Sequence, residues 1–240
     1  MAACFPVLNK SRGTHPASCY LRMTALLAIF LSCVWVPAPA LAQQKIQEKT
    51  TRLLVLGDSL SAGHGLPADQ SFPVRLQAAL AADGIDARVI NAGVSGDTSA
   101  GGLARVNWSL AGKPDAVIIE LGANDGMRGL EPAATKANLD AILVRVRAAG
   151  AEALLAGMLA PPNLGREYGA EFAGLYPALA AKHGVLFYPF FLDGVATRPA
   201  LNQADRIHPN AAGIDIIVDR ILPKVKELLF RARRKKKRGG

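Results

Sequence analysis

The chain has 240 residues, half of them hydrophobic, with 28 basic against 19 acidic side chains. That length allows one sizeable core and excludes two full enzyme domains. All three cysteines (Cys4, Cys19 and Cys33) lie near the start, so the remainder has neither a disulfide framework nor a thiolate metal site.

The first segment has the pattern of a targeting sequence. Lys10, Arg12 and Arg22 form a basic region, an apolar stretch runs from Ala25 to Val36, and Pro37 and Pro39 break it. Ala40-Leu41-Ala42 fits a signal-peptidase site, giving a signal peptide over residues 1–42 and an exported mature chain. The apolar stretch is shorter than the ~20 residues a membrane span needs. An uncleaved anchor or a buried helix is the alternative, and Met23 is a second candidate start. Leu31-Ser32-Cys33 faintly resembles a lipoprotein box, but bulky Phe30 and the downstream alanine site argue against it. Residues 43–51 are polar and are expected to form a linker.

Next comes Leu53-Leu54-Val55-Leu56, a continuous apolar run ending in glycine, the pattern of a strand buried on both faces. Similar runs follow at Ala87–Ile90, Ala116–Leu121, Ala153–Met158 and Gly184–Phe187. Helical patterns alternate with them: Phe72–Ala82, Ala100–Leu110, Pro132–Ala149, Tyr168–His183 and Pro209–Phe230. The alternation predicts an α/β domain over residues 52–230, a five-stranded parallel sheet with helices on both faces. Residues 231–238 then carry seven basic side chains. Without residues 1–42 and this tail, the body holds 18 basic against 19 acidic groups, so the basicity belongs to an appendage. Such a run is expected to repel itself and be disordered over 231–240, either merely solvated or available to anionic lipid, surface polysaccharide or other polyanions.

In a doubly wound sheet, ligands bind beyond the carboxyl ends of the strands. Asp58-Ser59, Asn91–Gly96, Gly122–Asp125 and Pro161-Pro162-Asn163 follow the first four strands and should meet at that edge. Ser59 can be a nucleophile if a base is beside it; taken alone it better fits a helix N-cap. Of four histidines, His15 falls in the targeting segment and His183 near a helix C-terminus beside Lys182. His64 is a rival base without a carboxylate just before it. His208 has Asp205 three residues earlier and Pro209 next, a loop able to hold an acid against the ring. Helix capping and a polar turn are the plainer alternative for this pair. Gly96 and Asn124, with the Ser59 N–H, can supply donors to a developing oxyanion; they also fit ordinary turns. Asp58, Asp97, Thr98 and Asp125 are expected to brace these loops.

Four ordered blocks carry a more specific signal: Leu56–Gly63, Asn91–Ser99, Leu121–Gly126 and Asp205–Asn210. Together they resemble the GDSL, or SGNH, hydrolases, most densely the bacterial exported thioesterase/lysophospholipase/arylesterase branch. The resemblance spans Arg52–Leu228 and implies a flavodoxin-like three-layer α/β/α sandwich. It implies Ser59 as nucleophile, His208 as base and Asp205 as its orienter, with Ser59, Gly96 and Asn124 forming the oxyanion hole. His64 stands where relatives often carry tyrosine, and Arg206 where a small residue is common.

The expected reaction is hydrolysis of carboxylic esters or thioesters through an acyl-serine, with no metal or cofactor. Met127, Leu130, Met158, Pro161, Pro162, Leu164 and Tyr168 are the candidate acyl-contacting residues. Rival readings are a carbohydrate O-deacetylase on the same fold, a nucleotide- or phosphate-binding module at Gly93–Gly102, and a polyanion-binding surface protein. The P-loop and Rossmann spacings are missing from that glycine-rich stretch, and no specific nucleic-acid partner is expected.

Overall fold

The apolar run at the start of the domain becomes the centre of a sheet. A computed structural model describes residues 50–239, so the proposed signal peptide, nearly all of the linker and the cysteines lie outside the described residues. Strand β1 (Thr51–Gly57) is buried along almost its whole length, and β3 (Ala116–Glu120) along all of it. Strand β2 (Ala87–Gly93) lies at one edge and is half-exposed. Strands β4 (Glu152–Ala156) and β5 (Leu186–Tyr188) complete the order β2-β1-β3-β4-β5, with every pairing parallel. Central strands enclosed by helices must be apolar on both faces, which is why periodicity vanishes in them.

Helices α2 (Phe72–Ala82) and α7 (Ala211–Gly239) pack together on one face of the sheet. Helices α3 (Ser99–Leu110), α5 (Pro132–Ala148) and α6 (Arg166–His183) line up on the other. Two further helices, α1 (Ser59–Ala62) and α4 (Ala123–Met127), are short and follow β1 and β3 directly. Between the layers, side chains such as Leu53, Leu56, Ile118, Ile119, Leu139, Phe172 and Ile217 are wholly buried. Each such burial contributes roughly 1.5–3 kcal/mol. The strand order reverses direction at β1, between β2 and β3. The loops after β1 and β3 therefore diverge at a topological switch point and leave a crevice between them.

The basic tail differs from expectation. Residues 231–239 are not a disordered appendage but the last turns of α7. Val225, Leu228, Leu229 and Ala232 bury the helix against the sheet as far as the tail itself. The cations then find partners at the amino edge of the sheet. Arg233 donates to Thr51 Oγ1 (2.9 Å) and to the Asp86 carbonyl (2.6 Å). Lys235 pairs with Glu152 (3.2 Å) and Lys236 with Asp115 (2.9 Å). Cations in the last turns also face the negative end of the helix dipole.

Candidate active site

Gly57, the last residue of β1, pairs in register with Glu120, the last of β3. A Cβ on Gly57 would collide with the Glu120 carboxylate and with Ser61, so only glycine lets the two strands end this closely. Asp58 then caps α1, its Oδ1 accepting from the Leu60 N–H at 3.0 Å. Ser59 is thus the first residue of the helix rather than its cap. Gly63, at φ 85°, ends α1 after one turn.

The chain brings His208 to Ser59 from 149 residues away, with Nε2 2.9 Å from Oγ. Asp205 Oδ2 is 2.7 Å from the other ring nitrogen, Nδ1. Asp205 Oδ1 accepts the backbone N–H groups of Ile207 (2.9 Å) and His208 (3.0 Å). These bonds, the ring's first among them, lower the Asp205 carboxyl from its ordinary 3.8 to about 2. The loop turns through Arg206, whose φ of 60° lies in the left-handed region that favours glycine. That conformation gives a backbone reason for a small residue at this position.

The other histidines separate cleanly. His64 lies beside His208, ring centroids 4.5 Å apart and planes tilted by 44°, while it is His208 that meets Ser59 Oγ. His183 ends α6 with Nε2 2.6 Å from Asp140, where Lys182 also pairs.

The loops after β2 and β3 close the other side. Gly96 adopts φ 84° and is exposed, with open space where a Cβ would be. Asn124 is 7 % exposed; its amide donates to Asp58 Oδ2 (3.2 Å) and to the Asp97 carbonyl (3.0 Å). Asp125 is buried and accepts from the Ser99 N–H (2.8 Å), the Ser99 hydroxyl and the Thr135 hydroxyl (3.1 Å). Thr98 caps α3. The bracing roles expected for these four polar residues are thus visible as bonds.

Three bracing residues gave no local signal in the sequence. Arg105 donates to Asp97 (2.5 Å), the Ala92 carbonyl (2.6 Å) and the Gly57 carbonyl (2.8 Å), tying the ends of β1 and β2 to the Gly96 loop. Gln203 donates to the carbonyls of His64 (2.8 Å) and Pro209 (3.0 Å), joining His64 to the His208 loop. Glu120 is wholly buried below Ser61, its Oε2 2.6 Å from the Ser61 hydroxyl.

Beside the site lies a cavity of about 640 Å³, within the range of small-molecule pockets. Leu60, Ala123 and Ile207, the chain neighbours of Ser59, Asn124 and His208, form one wall. Of the candidate acyl-contacting residues, Met127, Met158, Pro161 and Pro162 line it. Leu130, Leu164 and Tyr168 do not. The Tyr168 hydroxyl donates to the Leu130 carbonyl (2.6 Å), its ring stacks on Phe172, and Leu164 packs toward Gly129. These three are placed to hold the loop rather than a ligand. The far wall comes from residues 190–198, including Phe190, Leu192 and Arg198, and from Arg220 in ion pair with Asp193.

A doubly wound sheet with serine, imidazole and carboxylate in line at its carboxyl edge defines a class: α/β serine hydrolases. The chain belongs to the GDSL-like lipase/acylhydrolase family, whose model matches residues 55–216. It is 46% identical over 184 residues to esterase TesA of Pseudomonas aeruginosa, covering 76% of this chain and 92% of that one. It is 41% identical over 178 residues to thioesterase 1/protease 1/lysophospholipase L1 of Escherichia coli, covering 74% and 84% respectively. The crystal structure of TesA superposes with a TM-score of 0.72 over 74% of this chain and 99% of that one, at 46% identity.

Proposed function

We propose that this protein is a serine esterase hydrolysing carboxylic esters and thioesters of apolar acyl groups. The observation that carries the reading is the continuous chain from Ser59 Oγ through His208 to Asp205, at 2.9 and 2.7 Å. Ser59 attacks the acyl carbonyl as His208 Nε2 takes its proton. Asp205 holds the ring in the tautomer that leaves Nε2 free to accept, and stabilises the imidazolium. His208 then protonates the leaving alcohol or thiol. Water attacks the acyl-serine in the second half, with His208 again as base.

The tetrahedral oxyanion is held by the N–H groups of Ser59 and Gly96 and by the Asn124 amide. Both Asn124 N–H groups are engaged here, by Asp58 Oδ2 and by the Asp97 carbonyl, so one of these bonds gives way to the oxyanion. The cavity walled by Leu60, Met127, Met158 and Phe190 supports an acyl chain rather than a sugar. Ser59→Ala is expected to abolish both ester hydrolysis and labelling by a fluorophosphonate probe. Undiminished labelling would sink the assignment.

Two statements about location belong to the same proposal. The basic, apolar and Ala-Leu-Ala segments of residues 1–42 direct export, and N-terminal sequencing of the mature protein is expected to begin at Gln43. Phe230, 60% exposed with the Arg234 guanidinium 5.5 Å from its ring centre, gives α7 a cationic and aromatic outer face suited to anionic lipid. Equal sedimentation with anionic and neutral vesicles would remove that contact.

A further inference from the structure

Directly beneath the nucleophile sits a carboxyl group with no role in the chemistry above. Glu120 is 0% exposed. Its Oε2 lies 2.6 Å from the Ser61 hydroxyl and 3.4 Å from the Asp58 N–H. Its Oε1 is equally buried and meets no hydrogen-bond donor. Among the described residues no cation pairs with it. Arg105 is the guanidinium at this strand end, but it binds Asp97 and two backbone carbonyls. The other titratable groups around the pair are Asp125, Tyr176 and His208.

An ionised carboxylate in this position would leave a charged oxygen buried and unpaired, beside a second buried carboxylate at Asp58. A carboxylic acid avoids both costs. The Ser61 hydroxyl, which donates to a carboxylate here, can turn to accept the acid's proton from Oε2, and Oε1 becomes a neutral carbonyl oxygen, far cheaper to leave unbonded. Burial, and then the Asp58 charge, push the Glu120 carboxyl well above the usual range, against the opposing bonds from the Ser61 hydroxyl and from the Asp58 and Ser61 N–H groups. The consequence reaches the oxyanion hole through Asp58, which grips Asn124 with Oδ2 while capping α1 with Oδ1.

We propose that Glu120 is a positioning residue: as an un-ionised acid bonded to Ser61, it leaves Asp58 as the one charge of this carboxyl pair and so fixes the Asn124 amide for the oxyanion. The proposal rests on the serine-esterase reading for its kinetic arm and is independent of it for its spectroscopic arm. Infrared difference spectra of the wild type against Glu120→Gln, at pH 8, are expected to show the carbonyl stretch of a protonated carboxyl lost in the variant. A spectrum without that band overturns the proposal, whatever the protein hydrolyses.

In kinetics, Glu120→Ala is expected to lower kcat by about 10-fold or more with KM within about 2-fold, and Glu120→Gln to recover most of that loss. In an Asn124→Ala background, the Glu120→Ala effect should shrink to less than about 3-fold, because the two residues act in one chain of contacts. A Gln variant as slow as the Ala variant, or an undiminished loss in the Asn124→Ala background, rejects it. If Glu120→Ala fails to fold, the isosteric Gln variant still decides through its spectrum and its kcat. Loss of fluorophosphonate labelling in Ser59→Ala tests the nucleophile separately, so the two failures are distinguishable.

Discussion

The two edges of the sheet both carry ionisable side chains and use them in opposite ways. At the carboxyl edge, Asp58, Glu120 and Asp125 are buried, and each is fixed by hydrogen bonds to a specific loop. At the amino edge, Asp115 and Glu152 meet Lys236 and Lys235 of α7, with both lysines 40–50% exposed. Buried polar groups are costly unless satisfied, so the first arrangement specifies geometry. Exposed pairs contribute about 0–1 kcal/mol and are screened by salt, so the second mainly settles where a helix end rests. A charge count cannot tell these two uses apart.

The largest expected break falls at the carboxyl edge. Asn124→Ala should lower turnover by ~10²–10³ while circular dichroism and melting stay close to wild type. Unchanged turnover would remove Asn124 from the oxyanion hole.

A subtler test uses pH, because two carboxyls of the site shift in opposite directions. Burial raises Asp58 from 3.8 to about 6, against the opposing bonds from Leu60 and Asn124. Its neutral form favours the fold below about pH 4, and that contribution is lost as pH rises through about 6. Relative to Asp58→Asn, the wild type should therefore lose stability between pH 4 and 7, by on the order of 2 kcal/mol. Asp205, lowered to about 2, has the reverse sign: its contribution is present above about pH 4 and is lost as pH falls toward 2. Denaturant titrations of the wild type, Asp58→Asn and Asp205→Asn across this range check both slopes. Parallel curves would reject the shifts.

The smallest effect belongs to the amino edge. Lys235→Ala and Lys236→Ala should each cost less than about 1 kcal/mol, and the cost should vanish in high salt. A salt-insensitive loss above that would mean the tail is packed rather than merely paired.

The layout of the sheet was legible because buried strands and amphipathic helices leave long signals. Helix α2 spans the same residues the periodicity predicts, Phe72–Ala82. The short helices α1 and α4 were not legible, since four or five residues are too few to express a period. Nor could chain order find Arg105, Gln203 or Glu120. Their partners are set by which strands end side by side, and that is a property of topology. The tail illustrates the same limit: a run of like charges reads as self-repelling until Asp115 and Glu152, at the amino ends of two strands, are brought beneath it. Leu130, Leu164 and Tyr168 were apolar and near the site, but only packing distinguishes a loop's own brace from a ligand's wall.

The cavity's inner wall is built by Leu60, Ala123 and Ile207, each the chain neighbour of a residue proposed to take part in the reaction. Chemistry and selectivity are therefore interleaved in the gene at single-codon spacing. A point mutation can redraw the shape that meets the acyl chain while leaving the neighbouring hydroxyl, amide or imidazole in place. The remaining wall, residues 190–198, comes from the segment leading out of β5 and is anchored in the core by Phe191 and Val195, both wholly buried. The arrangement gives lineages two separate sets of positions from which to reach new substrates, one beside the reacting groups and one across from them.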